Sequence, residues 1–269
     1  MDLGLNGRAA FVAGASSGLG LAAAVALARE GCHVALCSRD QSRIEAAAAA
    51  VRQQLASSQV VPLACDVTDE AQIRNALDRV AVEFGRLNIL ITNAGGPPTG
   101  LIDDFDADGW RDGLELNLVS TINLCRHALP HLRRAARDDG HARILMVTSI
   151  AAKQPIGTLY LSNTSRAGVQ GFAKTLSEEV GPEGITVNTL MPGFTRTDRL
   201  QHLVEDLMER HGKTADEVEA GWASGAALRR LGDPEEFAAA ATFLAGRPGS
   251  SRVSHFLSMA AIVNTCCEI

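Results

Sequence analysis

A chain of 269 residues is long enough for one large α/β domain, and its composition excludes several classes of protein. Hydrophobic residues make up 46% of the chain and aromatic residues only 4%, so Ala, Val and Leu can form a sizeable core without disulfides. The formal net charge of −6 argues against a nucleic-acid partner, because nucleic acids require a basic face. No Cys/His cluster in the sequence indicates a metal site.

Short β-prone runs alternate with helical stretches along most of the chain. The runs are near-continuously apolar, as expected for parallel strands that helices cover on both faces. The predicted strands are Arg8–Ala13, His33–Cys37, Val60–Cys65, Leu87–Ile91, Arg143–Thr148 and Thr186–Leu190. The predicted helices are Leu19–Glu30, Ser42–Leu55, Glu70–Phe84, Trp110–Ala136 and Thr158–Val180. This alternation predicts an α/β fold, a single doubly wound Rossmann-type domain over residues 1–269 with a mainly parallel sheet of about seven strands.

The pattern changes after the sixth predicted strand. Leu200, Leu203 and Val204 recur at helical spacing in an otherwise polar stretch, which predicts an amphipathic helical insertion. Insertions at this place often cover a binding site, so a helical substrate lid is predicted at about residues 194–225. The apolar run Phe256–Val263 is suited to a final strand.

A glycine-rich turn follows the first predicted strand and opens the first helix. Gly14 permits a tight turn, Gly18 lets the backbone approach a pyrophosphate, and Gly20 lets the helix pack closely against the sheet. Free backbone N–H groups and the positive end of the helix dipole then face the phosphates. The turn predicts a dinucleotide-binding site formed by Gly14, Ser16, Ser17, Gly18, Leu19 and Gly20.

The GxxxGxG spacing of this turn resembles that of the short-chain dehydrogenase/reductase family, and further landmarks match in order. Asn93-Ala94-Gly95 after the fourth strand is similar to the family's NAG motif. Asn117 lies where the family places a helix asparagine, and Ser149 ends the fifth strand as its active-site serine does. The resemblance implies further cofactor contacts from Asp66, Val67, Asn93, Ala94, Gly95, Pro192, Gly193, Thr195 and Thr197.

The end of the second strand favours NADP(H) over NAD(H). An acidic residue there accepts hydrogen bonds from the adenosine ribose and repels a 2′-phosphate. Here Ser38 is neutral, and Arg39 offers a planar fork of donors to a phosphate. Asp40 keeps NAD(H) as an alternative, since a rotated loop would present the Asp40 carboxylate to the ribose instead. In a purely structural interpretation, Arg39 and Asp40 form an exposed ion pair that contributes little.

The catalytic residues depart from the family pattern, which rests on Ser, Tyr and Lys with Tyr four residues before Lys on one helix. The run Ser165–Val169 resembles the family's SKAGV, which places Ser162 and Arg166 at the Tyr and Lys positions. The only tyrosine, Tyr160, falls two residues early and is expected to point away from the site. A similar Ser/Arg replacement occurs in a divergent subgroup that resembles β-ketoacyl-acyl-carrier-protein reductases. The resemblance implies a catalytic set of Asn117, Ser149, Ser162 and Arg166, the last also binding the cofactor.

Three functions follow from these residues. A serine hydroxyl is a weaker acid than a phenol, and an arginine stays protonated and relays no proton. The first hypothesis is an oxidoreductase, 3-oxoacyl reductase-like, that transfers a hydride between NADP(H) and a small-molecule carbonyl or alcohol. Its atypical proton donor is water, the substrate, or a lid histidine such as His202 or His211. The second is a catalytically impaired NADP(H)-binding protein with a sensory or regulatory role, and the third is chemistry without net redox, such as dehydration or epimerisation.

The remaining expectations concern assembly and location. The resemblance implies a homodimer or homotetramer, although the Asp-Gly-Gly turn with which the family typically ends is missing here. The first residues lack the apolar core of a signal peptide, and no segment is apolar for long enough to span a bilayer. We therefore expect no membrane partner and a cytoplasmic location.

Overall fold

The computed structural model describes residues 1–54, 58–247 and 255–257, and its framework is one sheet of seven strands. The strand order is β3-β2-β1-β4-β5-β6-β7, and each neighbouring pair is parallel. The strands are β1 Ala9–Val12, β2 His33–Ser38, β3 Val60–Ala64, β4 Ile89–Thr92, β5 Ala142–Val147, β6 Ile185–Met191 and β7 His255–Leu257. The doubly wound α/β fold is confirmed, and each of the six predicted strands is found within two residues of its predicted bounds.

Helices cover both faces of the sheet. They are α1 Gly18–Arg29, α2 Gln41–Gln54, α3 Glu70–Glu83, α4 Ala107–Leu114, α5 Ser120–Asp139, α6 Tyr160–Val180, α7 Asp198–His211, α8 Ala215–Gly225 and α9 Pro234–Ala245. On one face, Ala24 of α1 and Phe237 of α9 are fully buried in the same core cluster. On the other, Leu77, Leu124 and Val169 bring α3, α5 and α6 into a second cluster. The small alanines that dominate the chain allow helix and sheet to approach closely.

The helix predicted over Trp110–Ala136 is interrupted by a π-helical segment, Glu115–Val119, between α4 and α5. At its end the Ser120 N–H donates to the carbonyl of Glu115, five residues earlier, so that one extra residue is accommodated in the turn. Apolar periodicity does not distinguish such a turn from a regular one, so the prediction of a single uniform helix was wrong here. The widened turn contains Asn117, whose side chain donates to the Gly95 carbonyl in the loop after β4.

The predicted helical insertion is confirmed as α7 and α8. Phe194, before α7, stacks on Trp222 of α8 with ring centroids 4.6 Å apart, which ties the insertion together. The last strand pairs with β6, so the run Phe256–Val263 is confirmed as a strand over its first two residues, and the rest of it lies outside the described residues. Among the described helices, none combines the length and apolar character needed to cross a membrane.

Candidate active site

A cleft of about 260 Å³ opens at the carboxyl ends of β1, β4, β5 and β6. It lies where the strand order reverses between β1 and β4, the usual ligand site of open α/β sheets. Most of the predicted site residues line it, and their helices and loops converge here from four parts of the chain. The predicted residues in the lining are Gly14, Ser17, Gly18, Leu19, Asn93, Ala94, Gly95, Ser149, Ser162, Arg166, Pro192, Gly193, Thr195 and Thr197.

The glycine turn forms the floor of one end of the cleft. Gly14 and Gly18 have φ angles of +58° and +56°, a region that residues with a Cβ rarely adopt. A Cβ on Gly20 would lie 2.3 Å from the Gly14 carbonyl oxygen, so only glycine permits this approach of helix and turn. Ser17 makes no side-chain cap to α1, whose first turn also contains no acidic residue. The positive end of α1 is therefore left to an anion, as a dinucleotide diphosphate requires.

Two asparagines brace the loops after β1 and β4. The Asn93 Nδ2 donates to the Gly14 carbonyl at 3.2 Å, which joins the two halves of the sheet across the reversal of strand order. The Asn117 Nδ2 donates to the Gly95 carbonyl at 2.8 Å. Asn117 is buried, and its Oδ1 has no hydrogen-bond partner within the described part of the protein. This buried oxygen carries the free-energy cost of an unmade hydrogen bond, which a hydrogen-bond donor bound beside it would remove.

The end of β5 is held by a chain of hydrogen bonds. The buried Thr148 hydroxyl donates to the Leu190 carbonyl at 3.2 Å and accepts from Gln170 Nε2 at 3.1 Å. The next residue, Ser149, accepts an N–H from Ala151 through its Oγ at 3.1 Å. Ser149 Oγ is therefore oriented by the backbone turn that follows the strand, while its hydroxyl hydrogen remains available to a ligand.

Ser162 and Arg166 lie one helical turn apart on α6, and both side chains face the cleft. Arg166 Nε donates to Ser162 Oγ at 3.0 Å, and Arg166 Nη1 donates to the Thr148 carbonyl at 2.8 Å. Burial, together with the charge of Arg199, lowers the pKa of Arg166 to about 10, which leaves it a cation at neutral pH. Because Ser162 Oγ accepts from Arg166, its own hydrogen is free to be donated to a substrate oxygen.

The other protonatable side chains considered from the sequence lie elsewhere. Tyr160 begins α6, is 41% exposed and does not line the cleft, so the expectation that it points away is confirmed. His202 is exposed on α7, outside the cleft lining. The side chain of His211 lies outside the described residues. Of the described residues that line the cleft, none is a tyrosine, histidine or lysine.

The adenosine end of the predicted site lies beyond the cleft lining. The Asp40 carboxylate caps α2 by accepting from the Arg43 N–H at 2.9 Å and the Ser42 hydroxyl at 2.7 Å, and these bonds hold the pKa of Asp40 below its usual value. The Arg39 side chain is exposed and forms no ion pair with a described carboxylate. The predicted residues outside the cleft lining are Ser16, Gly20, Ser38, Arg39, Asp66, Val67 and Asn117.

The start of α7, within the predicted lid region, contributes two charged residues to which the sequence alone assigned no individual role. Asp198 and Arg199 line the cleft, and Arg199 Nη2 donates to the Pro97 carbonyl at 3.1 Å. Leu200 and Leu203, whose helical spacing predicts the amphipathic insertion, line the cleft too.

The backbone before α6 is strained. Thr158 has a φ of +64°, where a β-branched residue is an outlier, and its carbonyl accepts the Gly100 N–H at 2.8 Å. This bond joins the loop after β4 to the start of α6 and so fixes the approach to Ser162. Strain of this kind persists only where the surrounding structure holds it.

Comparison with known proteins agrees with this geometry. Residues 8–208 match the profile of the short chain dehydrogenase family, and the chain belongs to this family of oxidoreductases. It is 35% identical over 241 residues to the short-chain reductase protein NovJ of Streptomyces niveus, covering 90% of this chain and 87% of that protein. It is 34% identical over 243 residues to the 3-oxoacyl-[acyl-carrier-protein] reductase FabG of Escherichia coli, covering 90% and 91%.

Solved structures are similar over nearly the whole chain. L-Sorbose reductase from Gluconobacter frateurii, complexed with NADPH and L-sorbose, matches with a TM-score of 0.90 at 29% identity, covering 98% of this chain and all of that one. A short chain dehydrogenase from Burkholderia cenocepacia, in complex with NADP, matches with a TM-score of 0.81 at 31% identity, covering 95% and 98%.

Proposed function

We propose that the protein is an NADP(H)-dependent oxidoreductase that interconverts a carbonyl compound and its alcohol, with Ser162 as the proton donor. The observation that carries the proposal is the Arg166–Ser162 hydrogen bond, which lies in the same cleft as the glycine turn. The reductases among the relatives, and the NADPH and NADP complexes among the similar structures, support the same reaction class.

The residues present fit NADP(H). The glycine turn and the open start of α1 suit a diphosphate, and the close approach at Gly20 leaves no room for a side chain. Arg39 is available for a 2′-phosphate, while the Asp40 carboxylate is occupied in capping α2. When bound, NADPH supplies the hydride. These features favour NADP(H) over NAD(H), in which an acidic group would accept the free ribose hydroxyls.

The side chains then handle the charge that develops on the substrate. The Ser149 and Ser162 hydroxyls donate hydrogen bonds to the carbonyl oxygen, and the Arg166 cation stabilises the negative charge as the C=O electron pair moves onto that oxygen. The proton comes from Ser162 Oγ, and water replaces it. Arg166 makes this transfer less costly, because its Nε–H stabilises the serine oxygen while the proton is absent.

We also infer that α7 and α8 form the substrate lid. Phe194, Leu200 and Leu203 present apolar surface to the cleft from this insertion. The stack of Phe194 on Trp222 joins this apolar wall of the cleft to α8.

Single substitutions on α6 test the proton donor. We expect Ser162→Ala to lower kcat by about 100-fold, the usual range for loss of a positioned acid, with NADPH affinity unchanged. The assay follows oxidation of NADPH with a panel of ketones and β-ketoacyl thioesters. Tyr160→Phe is the matched control, since it removes the only phenol from the same helix and should leave the rate unchanged. A rate lost in Tyr160→Phe and kept in Ser162→Ala would overturn the proposal.

A second function is favoured by one specific observation, the lack of a tyrosine or lysine in the described cleft lining. In that case the protein binds NADP(H) without turnover and serves as a sensor or regulatory subunit. The double substitution Ser162→Tyr with Arg166→Lys separates the two. If it creates reductase activity where the wild type has none, the second function holds; if it lowers an existing activity, Ser162 and Arg166 have their own mechanism.

A further inference from the structure

We propose that the carbonyl substrate carries a carboxylate, which binds Arg199 while its carbonyl oxygen lies against Ser162 and Arg166. The inference deepens the proposed function, on which it rests, by naming the substrate class: oxo acids and their hydroxy acids. It follows from the charges, the packing and the apolar surface of the cleft.

The cleft holds more positive than negative charge. Its charged lining residues, within the described chain, are Arg166, Asp198 and Arg199. Neither arginine forms an ion pair with a described carboxylate, and each donates to neutral oxygens: Arg166 to Ser162 Oγ and the carbonyl of Thr148, Arg199 to a loop carbonyl. An unpaired arginine that faces a cleft is a ready partner for an anion, because its planar fork matches a carboxylate.

The guanidinium groups of Arg166 and Arg199 also repel each other electrostatically. The charge of Arg199 contributes to the lowered pKa of Arg166, so the two cations share one electrostatic environment. Bringing a negative charge between them removes that repulsion and makes binding of an anion more favourable than binding of its neutral analogue.

The loop after β4 makes room for Arg199. A Cβ on Gly96 would lie 2.6 Å from both Nε and Nη2 of Arg199. Gly96 does not have a positive φ, so the backbone conformation does not require glycine there. The absence of a side chain instead lets the guanidinium lie against the loop, where Arg199 Nη2 reaches the Pro97 carbonyl.

A substrate carboxylate fits this position better than a cofactor phosphate does. The glycine turn and the start of α1 already provide backbone donors for a diphosphate. Arg199 belongs to α7, beside Leu200 and Leu203, which offer apolar contact to the carbon chain of a substrate. A cation next to a short apolar surface is the combination that recognises a small organic acid.

The test compares acids with their neutral esters. Pyruvate, acetoacetate and levulinate, each with its methyl ester, are titrated by calorimetry into the protein loaded with NADP⁺, so that no reduction intervenes. At least one acid should bind about tenfold or more tightly than its ester, the range of a charge-assisted hydrogen bond. Arg199→Gln should abolish that preference. Arg196→Gln is the matched control, since Arg196 lies three residues away, pairs with Asp233 and does not line the cleft.

A second variant keeps the charge and changes its place. Gly96→Ala should displace the Arg199 guanidinium and reduce the preference for the acid severalfold, with NADP⁺ affinity unchanged. Equal binding of acids and esters to the wild-type protein would overturn the inference. So would an Arg199→Gln variant that keeps the preference and binds NADP⁺ more weakly, because Arg199 would then serve the cofactor diphosphate.

The outcomes also separate this inference from the proposed function. If the protein reduces neutral ketones and shows no preference for acids, the proposed oxidoreductase function stands and the carboxylate site is overturned. The protein could instead prefer acids through Arg199 while none of the carbonyl compounds tested supports oxidation of NADPH. That result would keep the anion site and overturn the redox function.

Discussion

Arg8 and Arg86, at the amino edge of the sheet, and Arg166, at its carboxyl edge, differ in the partners that they bind. At the amino edge, Arg8 and Arg86 both contact the Asp139 carboxylate, at 3.0 and 3.1 Å, and Asn88 Nδ2 donates to the same carboxylate at 3.1 Å. Although burial raises the pKa of Asp139, the hydrogen bond from Asn88 and the two cations hold it below its usual value. At the carboxyl edge, Arg166 has no such carboxylate among the described residues and donates to a hydroxyl and to backbone carbonyls.

The paired arginines at the amino edge stabilise the fold, whereas Arg166 at the carboxyl edge is placed to bind a ligand. A cation paired with a carboxylate of its own chain has little left to offer a substrate. Arg166 is bonded only to neutral oxygens and lines the cleft, so its net charge acts on whatever binds there. Substitutions at the carboxyl edge should therefore change binding and turnover, and those at the amino edge should change stability.

The largest effect is expected from Arg166→Met. Removing the cation that faces the substrate oxygen should lower kcat/KM by about 1000-fold, at the upper end for loss of a preorganised donor. Lys174→Met is the matched control on α6, because Lys174 pairs with Glu178 on the exposed face of the same helix. Steady-state kinetics with NADPH measure the effect, and an Arg166→Met enzyme as active as the control would refute the role of the carboxyl edge.

Gly20→Ala should come next, through cofactor binding. The new Cβ would meet the Gly14 carbonyl and push α1 away from the turn, which we expect to weaken NADP⁺ binding by about 100-fold. In contrast, Gly171→Ala lies on α6 with no neighbour within 4 Å of the new Cβ, and it should leave binding unchanged. Fluorescence or calorimetric titration with NADP⁺ provides the comparison, and equal affinities would argue against the close approach.

At the amino edge, His141 should make stability depend on pH. It is fully buried, its Nε2 meets the Ala245 carbonyl, and burial with the charge of Arg143 lowers its pKa to about 4. The unfolded chain binds a proton near pH 6.5 and the folded chain does not, so stability present above that pH is lost as the pH falls toward 4.

The size of this effect follows from the two pKa values. Between neutral pH and about pH 4.5, His141 should cost about 2.5 kcal/mol of unfolding free energy, with turnover at neutral pH unaffected. Urea unfolding at both pH values measures the loss, and His141→Gln should show a pH-dependent loss smaller by that amount. The same loss in both proteins would contradict the assignment.

The smallest effect is expected at Thr158. Glycine adopts its positive φ without strain, so Thr158→Gly should gain about 0.5 kcal/mol after the entropic cost of glycine, a rise in Tm of about 1–2 °C. Thr164→Gly, the same change inside α6, should lower the Tm instead. Thermal unfolding of the two variants is compared directly, and a Tm lowered equally in both would show that Thr158 is not strained.

Much of the fold could be predicted because its signals are local. Parallel strands buried on both faces are continuous apolar runs, and the glycine turn has a steric cause that can be read at Gly14, Gly18 and Gly20. The π segment could not be predicted, since one extra residue in a helical turn leaves no mark on apolar spacing. Asn117, which this segment contains, could be predicted as a site residue only from the resemblance to a family.

The site was predicted less evenly. Ser162 and Arg166 were found because they lie one turn apart in a recognisable register. Arg199 was not assigned, because its role depends on where an inserted helix lies and on the space that Gly96 leaves for it. Contacts between residues about one hundred positions apart are set by tertiary packing, which no local pattern records.

The aromatic stack in the insertion gives the protein an optical signal of its own. The chain has two tryptophans, and Trp222 lies face to face with Phe194, which is part of the cleft wall. Trp110 instead packs edge-on against Phe105, in a separate contact on α4. The fluorescence of Trp222 should therefore change when a ligand enters the cleft, while that of Trp110 serves as an internal reference. No dye or label is needed.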